Sequence, residues 1–125
     1  MATATARLLS ELYISPNFRL PELACKCCGT LLVNDLLGEL VDCLQRFRDA
    51  VGKPVRITSA YRCPKHNAEV GGKLNSWHMQ AGAADIQVAG MTPAQLAPIA
   101  KRVGFKEIVV EGQGAGAWLH VAVRD

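Results

Sequence analysis

The sequence predicts an α+β protein, and three observations carry that expectation. Apolar residues recur at helical spacing between Asn34 and Val51. Short apolar runs bounded by turn residues gather in the second half of the chain. Between two of those runs, Thr92, Pro93 and Gln95 spell a helix start. A helix, then strands with another helix among them, fits no repeat and no all-helical bundle.

Taken in order, residues 1–30 read as irregular, with 1–14 a loosely ordered N-terminal segment. Ser15-Pro16-Asn17-Phe18 suits a loop, and Leu20-Pro21-Glu22-Leu23 a short helical turn. From Asn34 to Val51, Leu36, Leu37, Leu40, Leu44, Phe47 and Val51 lie on one helical face, and Gly52 is the stop. Pro54 leads into a short strand, Val55–Thr58. Residues 59–82 are rich in Gly, Asn, Ser and Pro and read as loop, with one helical turn near Asn67–Val70. Ala83–Val88 is a second strand. Thr92 is an N-cap with Pro93 at the first helical position and Gln95 completing a capping box, and this helix ends at Gly104. Lys106–Glu111 and Ala117–Val123 are two further strands, joined by the loop Gly112–Gly116.

At 125 residues the chain is expected to form a single domain, 1–125, with one hydrophobic core and no need of disulfide staples. Its apolar half and charged fifth are ordinary globular proportions. A net charge of +3 without a Lys/Arg block or a basic–aromatic stripe argues against nucleic acid as a partner. It permits slight attraction to an anionic surface such as a cell wall. MATATARLLSELYISPNF holds no sustained apolar run, so neither a signal peptide nor a membrane span is expected. The chain is then expected to be made as a soluble cytosolic protein, or to reach its site by a route not written in it. With no heptad seam or long exposed apolar strand, a monomer is expected.

Chemistry concentrates around three residues. His78 and Asp85 flank a loop that enters a strand, and His120 lies in the middle of another, Trp118-Leu119-His120-Val121. Two histidines and a carboxylate are a common ligand set for a hydrolytic zinc ion, which keeps one position open for water. Such a site also needs an acid–base carboxylate and a cation or donor to steady the oxyanion. Glu111 ends the strand before His120 and approaches it if the two strands form a hairpin. Glu107 begins that strand and is expected to face solvent.

Ser59-Ala60-Tyr61-Arg62-Cys63-Pro64, His66-Asn67, Val70-Gly71-Gly72, Ser76-x-His78, Ala83-Ala84-Asp85-Ile86 and Trp118-Leu119-His120-Val121 occur in one order. Together they resemble the zinc D-Ala-D-Ala carboxypeptidase family of peptidoglycan peptidases, including its phage-associated branch. The amino-terminal signalling domain of hedgehog proteins shares the fold. The resemblance covers roughly residues 14–124. It implies a small antiparallel sheet packed against helices, zinc as cofactor, and a peptidoglycan stem peptide as partner. By position, His78, Asp85 and His120 match the metal ligands, and Arg62 the arginine that holds the substrate carbonyl or carboxylate. Ser76 is similar to a serine lining the pocket, and Glu111 to the general base of some members. The chain departs from the family at four places. Ala117 stands three residues before the last histidine, where many relatives carry the base. Trp118 stands where others have a histidine, Ala81 where a glycine is usual, and Ala122 where an aspartate often follows.

Each assignment has a plainer rival. His78 alone reads as a hydrogen-bonded core histidine, Asp85 as a turn cap, Glu111 as an exposed strand end, and Arg62 as a surface cation. Trp77 and Trp118 suit substrate walls and packing equally. The five cysteines exclude a complete intramolecular disulfide framework. Cys43 reads as a small apolar residue of the first long helix. A second, structural zinc ion at Cys25, Cys27, Cys28, Cys63 and His66, with three thiolates and an imidazole, is a reading not favoured here; a disulfide to Cys63 and free thiols stand beside it.

The resemblance favours a zinc metallopeptidase of the D-Ala-D-Ala carboxypeptidase kind. Its rivals are a peptidoglycan endopeptidase of a phage lysis or tail apparatus and a non-catalytic zinc-containing binding module of the same fold.

Overall fold

A computed structural model describes residues 13–125. The first strand, β1 (Tyr13–Ser15), pairs antiparallel with β2 (Phe18–Arg19), and α1 (Leu20–Leu23) follows directly. The expectation of an irregular stretch is corrected here. A ladder of two and three residues is too short for any periodicity to reveal, yet it seats Phe18 and Leu23 in the core. Tyr13 and Ile14 therefore belong to β1, and the rest of the expected loose N-terminal segment, residues 1–12, lies outside the described residues.

Helix α2 (Asp35–Val51) runs where the apolar spacing placed it. The Asn34 side chain accepts from the Leu37 N–H at its start, and Gly52 takes the left-handed conformation at its end. Leu40, Leu44 and Phe47 are fully buried on one face, each stabilising the fold by ~1.5–3 kcal/mol relative to exposure. Leu37 and Val41 are buried with them, whereas Leu36 and Val51 pack only at the margin. Helix α4 (Pro93–Val103) begins with the expected reciprocal cap between Thr92 and Gln95 and ends at Gly104. Its Leu96 and Ala100 face the same core.

Four strands form one antiparallel sheet in the order β3–β4–β6–β5: β3 (Arg56–Ser59), β4 (Ala83–Gln87), β5 (Glu107–Glu111) and β6 (Trp118–Ala122). Strand alternation gives the sheet two faces. Ile57, Ala84, Ile86, Leu119 and Val121 point into the core with α2 and α4. Asp85 lies opposite His120, and His120 opposite Val109, so the other face carries Asp85, His120, Glu107 and Glu111. The α+β class and the antiparallel sheet against helices are thus present. No helix of the described residues is long and apolar enough to cross a membrane.

Residues 59–82 hold more order than their composition suggests. Helix α3 (Pro64–Glu69) starts earlier than the expected turn, because Pro64 is preset for a first helical position and the Cys63 sulfur accepts from the His66 N–H. A single 3₁₀ turn spans Trp77–Gln80, capped by Ser76. It ends at Ala81, with φ of 60°, the only non-glycine residue at positive φ among those described. A glycine at this position would meet that backbone without cost. Ala81 meets it with its methyl fully buried.

Candidate metal centre

Three separate elements deliver the ligand set. His78 sits in the 3₁₀ turn, Asp85 in the middle of β4, and His120 opposite it in β6. Asp85 Oδ1 lies 3.2 Å from His78 Nε2 and 3.2 Å from His120 Nδ1. All three donor atoms are within 4.8 Å of one another.

Hydrogen bonding fixes how the rings present themselves. His78 Nδ1 is 2.6 Å from the Ala60 carbonyl oxygen. A carbonyl only accepts, so Nδ1 carries the proton and Nε2 a lone pair. That Nε2 is buried and makes no hydrogen bond. His120 Nε2 is 2.6 Å from Glu107 Oε1, to which it donates, so that in the neutral ring the Nδ1 lone pair faces Asp85. Two lone pairs and a carboxylate oxygen therefore converge on one point, which repels unless a cation sits between them. The spacing agrees: a tetrahedral zinc with bonds of about 2.0–2.1 Å separates its ligands by about 3.3 Å. The residues present fit zinc.

The surrounding charges are ordered around Asp85. Arg62 donates from Nη2 to Asp85 Oδ2 at 3.0 Å, from Nε to Ser59 Oγ at 3.1 Å, and from Nη1 to Asn67 Oδ1 at 3.3 Å. Burial alone raises the Asp85 carboxyl, but contacts with His120 and His78 outweigh it and hold the group well below the ordinary carboxylate range. Burial lowers His120, yet Asp85 and Glu107 more than offset it, and its pKa is raised. Both shifts describe the centre without a metal, in which protons take the place of the ion.

These side chains floor a cleft of about 480 Å³ whose walls include Trp77, Trp118, Glu111 and Lys73. Glu111 shares the His120 face, and its carboxylate makes no hydrogen bond or ion pair with a described residue. Ser76 reaches the cleft, but its Oγ also accepts from the His78 N–H, so it shapes the ligand turn. Arg62 is at the site, engaged with Asp85. A larger cleft, about 640 Å³, lies where β3 begins and β4 ends; its walls are mainly apolar and Arg56 is its one ionisable group. The smaller cleft holds the chemistry.

Two residues were read differently from sequence. Glu107 does not face solvent; the alternation that puts Val109 beside His120 puts Glu107 on the same face, and that register was the available signal. Asn67 is 3% exposed and holds both Arg62 and the Lys73 carbonyl, a role its place in the motif did not disclose. The cysteines also gather differently. Cys25, Cys27, Cys28 and Cys63 form one group, while His66 lies with Cys27 and Glu69. Cys43 is buried in α2, as expected.

Fold and site together define an α+β protein in which three side chains able to hold a metal ion floor a cleft. The sequence description of peptidase M15 matches residues 16–122, so the chain belongs to the peptidase M15 family. It is 38% identical over 84 residues to a zinc D-Ala-D-Ala carboxypeptidase of Streptomyces albus G, a match that takes in 66% of this chain and 33% of that protein. The chain thus spans about a third of the length of this curated relative. Among solved structures, the L-Ala D-Glu endopeptidase ChiX of Serratia marcescens aligns over 68% of this chain and 77% of its own, with a TM-score of 0.47 and 19% identity.

Proposed function

We propose that this protein is a zinc-dependent peptidase acting on D-Ala-containing peptide bonds of bacterial peptidoglycan stem peptides, as a D-Ala-D-Ala carboxypeptidase. The observation that carries the reading is the convergence of His78 Nε2, Asp85 Oδ1 and His120 Nδ1, with His78 Nε2 buried and without a hydrogen-bond partner. Membership of the family and the activity named for the Streptomyces relative support the substrate class.

In this reading His78, Asp85 and His120 hold the zinc. When bound, zinc supplies Lewis acidity to the scissile carbonyl and acidifies water. Glu111, unpaired at the cleft wall, takes a proton from the attacking water and delivers it to the leaving amine nitrogen. Glu107 is less suited to that task, because its carboxylate is committed to His120. Arg62 positions Asp85, and the two N–H groups it has left of five are suited to a substrate carbonyl or terminal carboxylate. Ser76 lines the cleft beside them. The chain acts as a single domain and as a monomer.

The test incubates zinc-loaded protein and its Glu111→Ala variant with a pentapeptide ending in D-Ala-D-Ala and with cross-linked muropeptides. Zinc-dependent release of free D-alanine from the pentapeptide, lost in the variant, is the expected result. Cleavage of the cross-linked substrate alone makes it an endopeptidase, and no cleavage of either makes it a binding module. Full activity in Glu111→Ala removes Glu111 as the base.

A further inference from the structure

Cys25, Cys27, Cys28 and Cys63 come together from two distant parts of the chain. The first three lie on the turn that follows α1, closed by the Gly29 N–H to the Cys25 carbonyl at 2.8 Å and the Cys25 N–H to the Thr30 carbonyl at 2.7 Å. The fourth caps α3. All four sulfurs lie within 4.8 Å of one another, with Cys25 to Cys27 at 3.5 Å and Cys27 to Cys63 at 3.4 Å. None is in a disulfide.

We propose that these four cysteines form a second metal site, a closed tetrathiolate centre that binds a structural zinc ion. Four-way proximity is the reason. A disulfide joins sulfurs in pairs at about 2.05 Å and gives no cause for a third and fourth to gather. A tetrahedral ion with Zn–S bonds of about 2.3 Å spaces its four sulfurs about 3.8 Å apart, close to what is seen. Backbone donors already point at the sulfurs: the Cys63 N–H at Cys25 and the His66 N–H at Cys63, each at 3.4 Å. Such bonds offset the negative charge that four thiolates leave around a divalent ion. On binding, the thiol protons pass to solvent and four S–Zn bonds form, with no redox change.

The fourth ligand is the Cys28 sulfur rather than the His66 imidazole. Cys28 belongs to the four-thiol group, whereas His66 Nδ1 is turned to Glu69 at 3.9 Å. With four protein ligands the site has no open position, so its role is to clamp rather than to catalyse. What it clamps is specific. The Tyr61 N–H bonds to the Leu23 carbonyl at 3.0 Å, and the strand exit it secures carries the Ala60 carbonyl that orients His78 and the Arg62 that holds Asp85.

The site is tested on the full chain purified under reductant and reconstituted with zinc or cobalt. Zinc content should be about two ions per chain, falling to about one in His78→Ala. The cobalt form should show a sulfur-to-cobalt charge-transfer band with intense tetrahedral visible bands. That signature comes only from the thiolates, so it is independent of whether the peptidase reading holds. Cys28→Ser should abolish or strongly weaken it, and His66→Ala should leave it intact. In the wild-type chain, which needs no folding control, titration of the thiols with a mercurial should release one of the two zinc ions. Absence of the charge-transfer band, its loss in His66→Ala, or thiols that react without releasing zinc would each overturn the proposal.

Discussion

Glu107 Oε1 lies 2.6 Å from Nε2 of His120, a ring whose other nitrogen faces Asp85. A carboxylate on the far side of a ligand imidazole fixes its tautomer and raises its basicity toward the metal. Replacing it should therefore act through zinc. Glu107→Gln is expected to weaken zinc binding roughly 10–100-fold, the usual cost of losing such a partner. A competition titration against a chelating dye measures it, and unchanged affinity would remove Glu107 from the metal centre.

Glu111 should behave in the opposite way. Its carboxylate touches no ligand, so Glu111→Gln is expected to keep zinc at wild-type affinity while kcat falls roughly 10²–10⁴-fold, the range of a general base. A variant that loses zinc instead would place Glu111 among the groups that hold the ion.

The contrast between these two acids also shows what the sequence could disclose. Both stand on one strand at even spacing, and either is a candidate from its residue type alone. Choosing between them needs the register that sets Val109, not Glu111, opposite His120. That register is a property of pairing between strands, so composition and spacing do not report it. The helices were legible because their signals are local: the Asn34 cap, the Leu40–Leu44–Phe47 face, and the Thr92–Gln95 box. The meeting of His78, Asp85 and His120 at one point was legible from the ordered motif around them. The roles of Asn67 and of Ala60 were not, since one works by burial and the other through its carbonyl, which every residue possesses.

Asp85 touches His78, His120 and Arg62 at once while its side chain is only 7% exposed. Asp85→Asn leaves the nearly buried Arg62 without its anion and removes one of the three proposed metal ligands. In metal-free protein the loss is expected to be about 3–5 kcal/mol, as for breaking a buried pair. The variant should also lose the part of the zinc-dependent rise in Tm that comes from the centre at His78, Asp85 and His120, and keep the part that comes from the cysteine cluster. Denaturant melts of metal-free protein measure the first effect, and thermal melts with and without zinc the second. A zinc-dependent Tm rise as large as that of wild type would show that no ion is held at Asp85.

A second ion pair offers a pH test away from the metal centre. Glu39 of α2 accepts from Arg124 Nη1 and Nη2 at 2.6 and 2.9 Å, tying the helix to the chain after β6. Hydrogen bonding to Arg124 outweighs a small desolvation effect and lowers the Glu39 pKa below its ordinary 4.5. A depressed folded-state pKa means that the stabilisation is present above the unfolded value and is lost as pH falls through the folded one. Glu39→Gln should therefore be slightly less stable than wild type near neutrality, and the difference should vanish in acid well below about pH 4. Both groups are exposed, so the effect is small and salt should diminish it. A difference that grows on acidification has the wrong sign for this pair.

Gly72 links the family motif to the metal ligands through space rather than charge. A Cβ built there would overlap Asn67 Oδ1, fall 2.7 Å from Asn67 Cγ and 3.0 Å from Arg62 Nη1. Asn67 has nowhere to retreat, because it is buried and bonded on one side to Arg62 and on the other to the Lys73 carbonyl. Gly72→Ala is thus expected to cost about 1–3 kcal/mol, as overpacking does. The added methyl should push Arg62 off Asp85, so kcat/KM should fall more than zinc affinity, since the atoms nearest the methyl belong to Asn67 and Arg62 rather than to the proposed ligands. Asn67→Ala in the Gly72→Ala background makes room for the methyl and should restore part of the lost stability. If the double variant is as unstable as the sum of the two single ones, the Gly72–Asn67 contact is not the source of the cost.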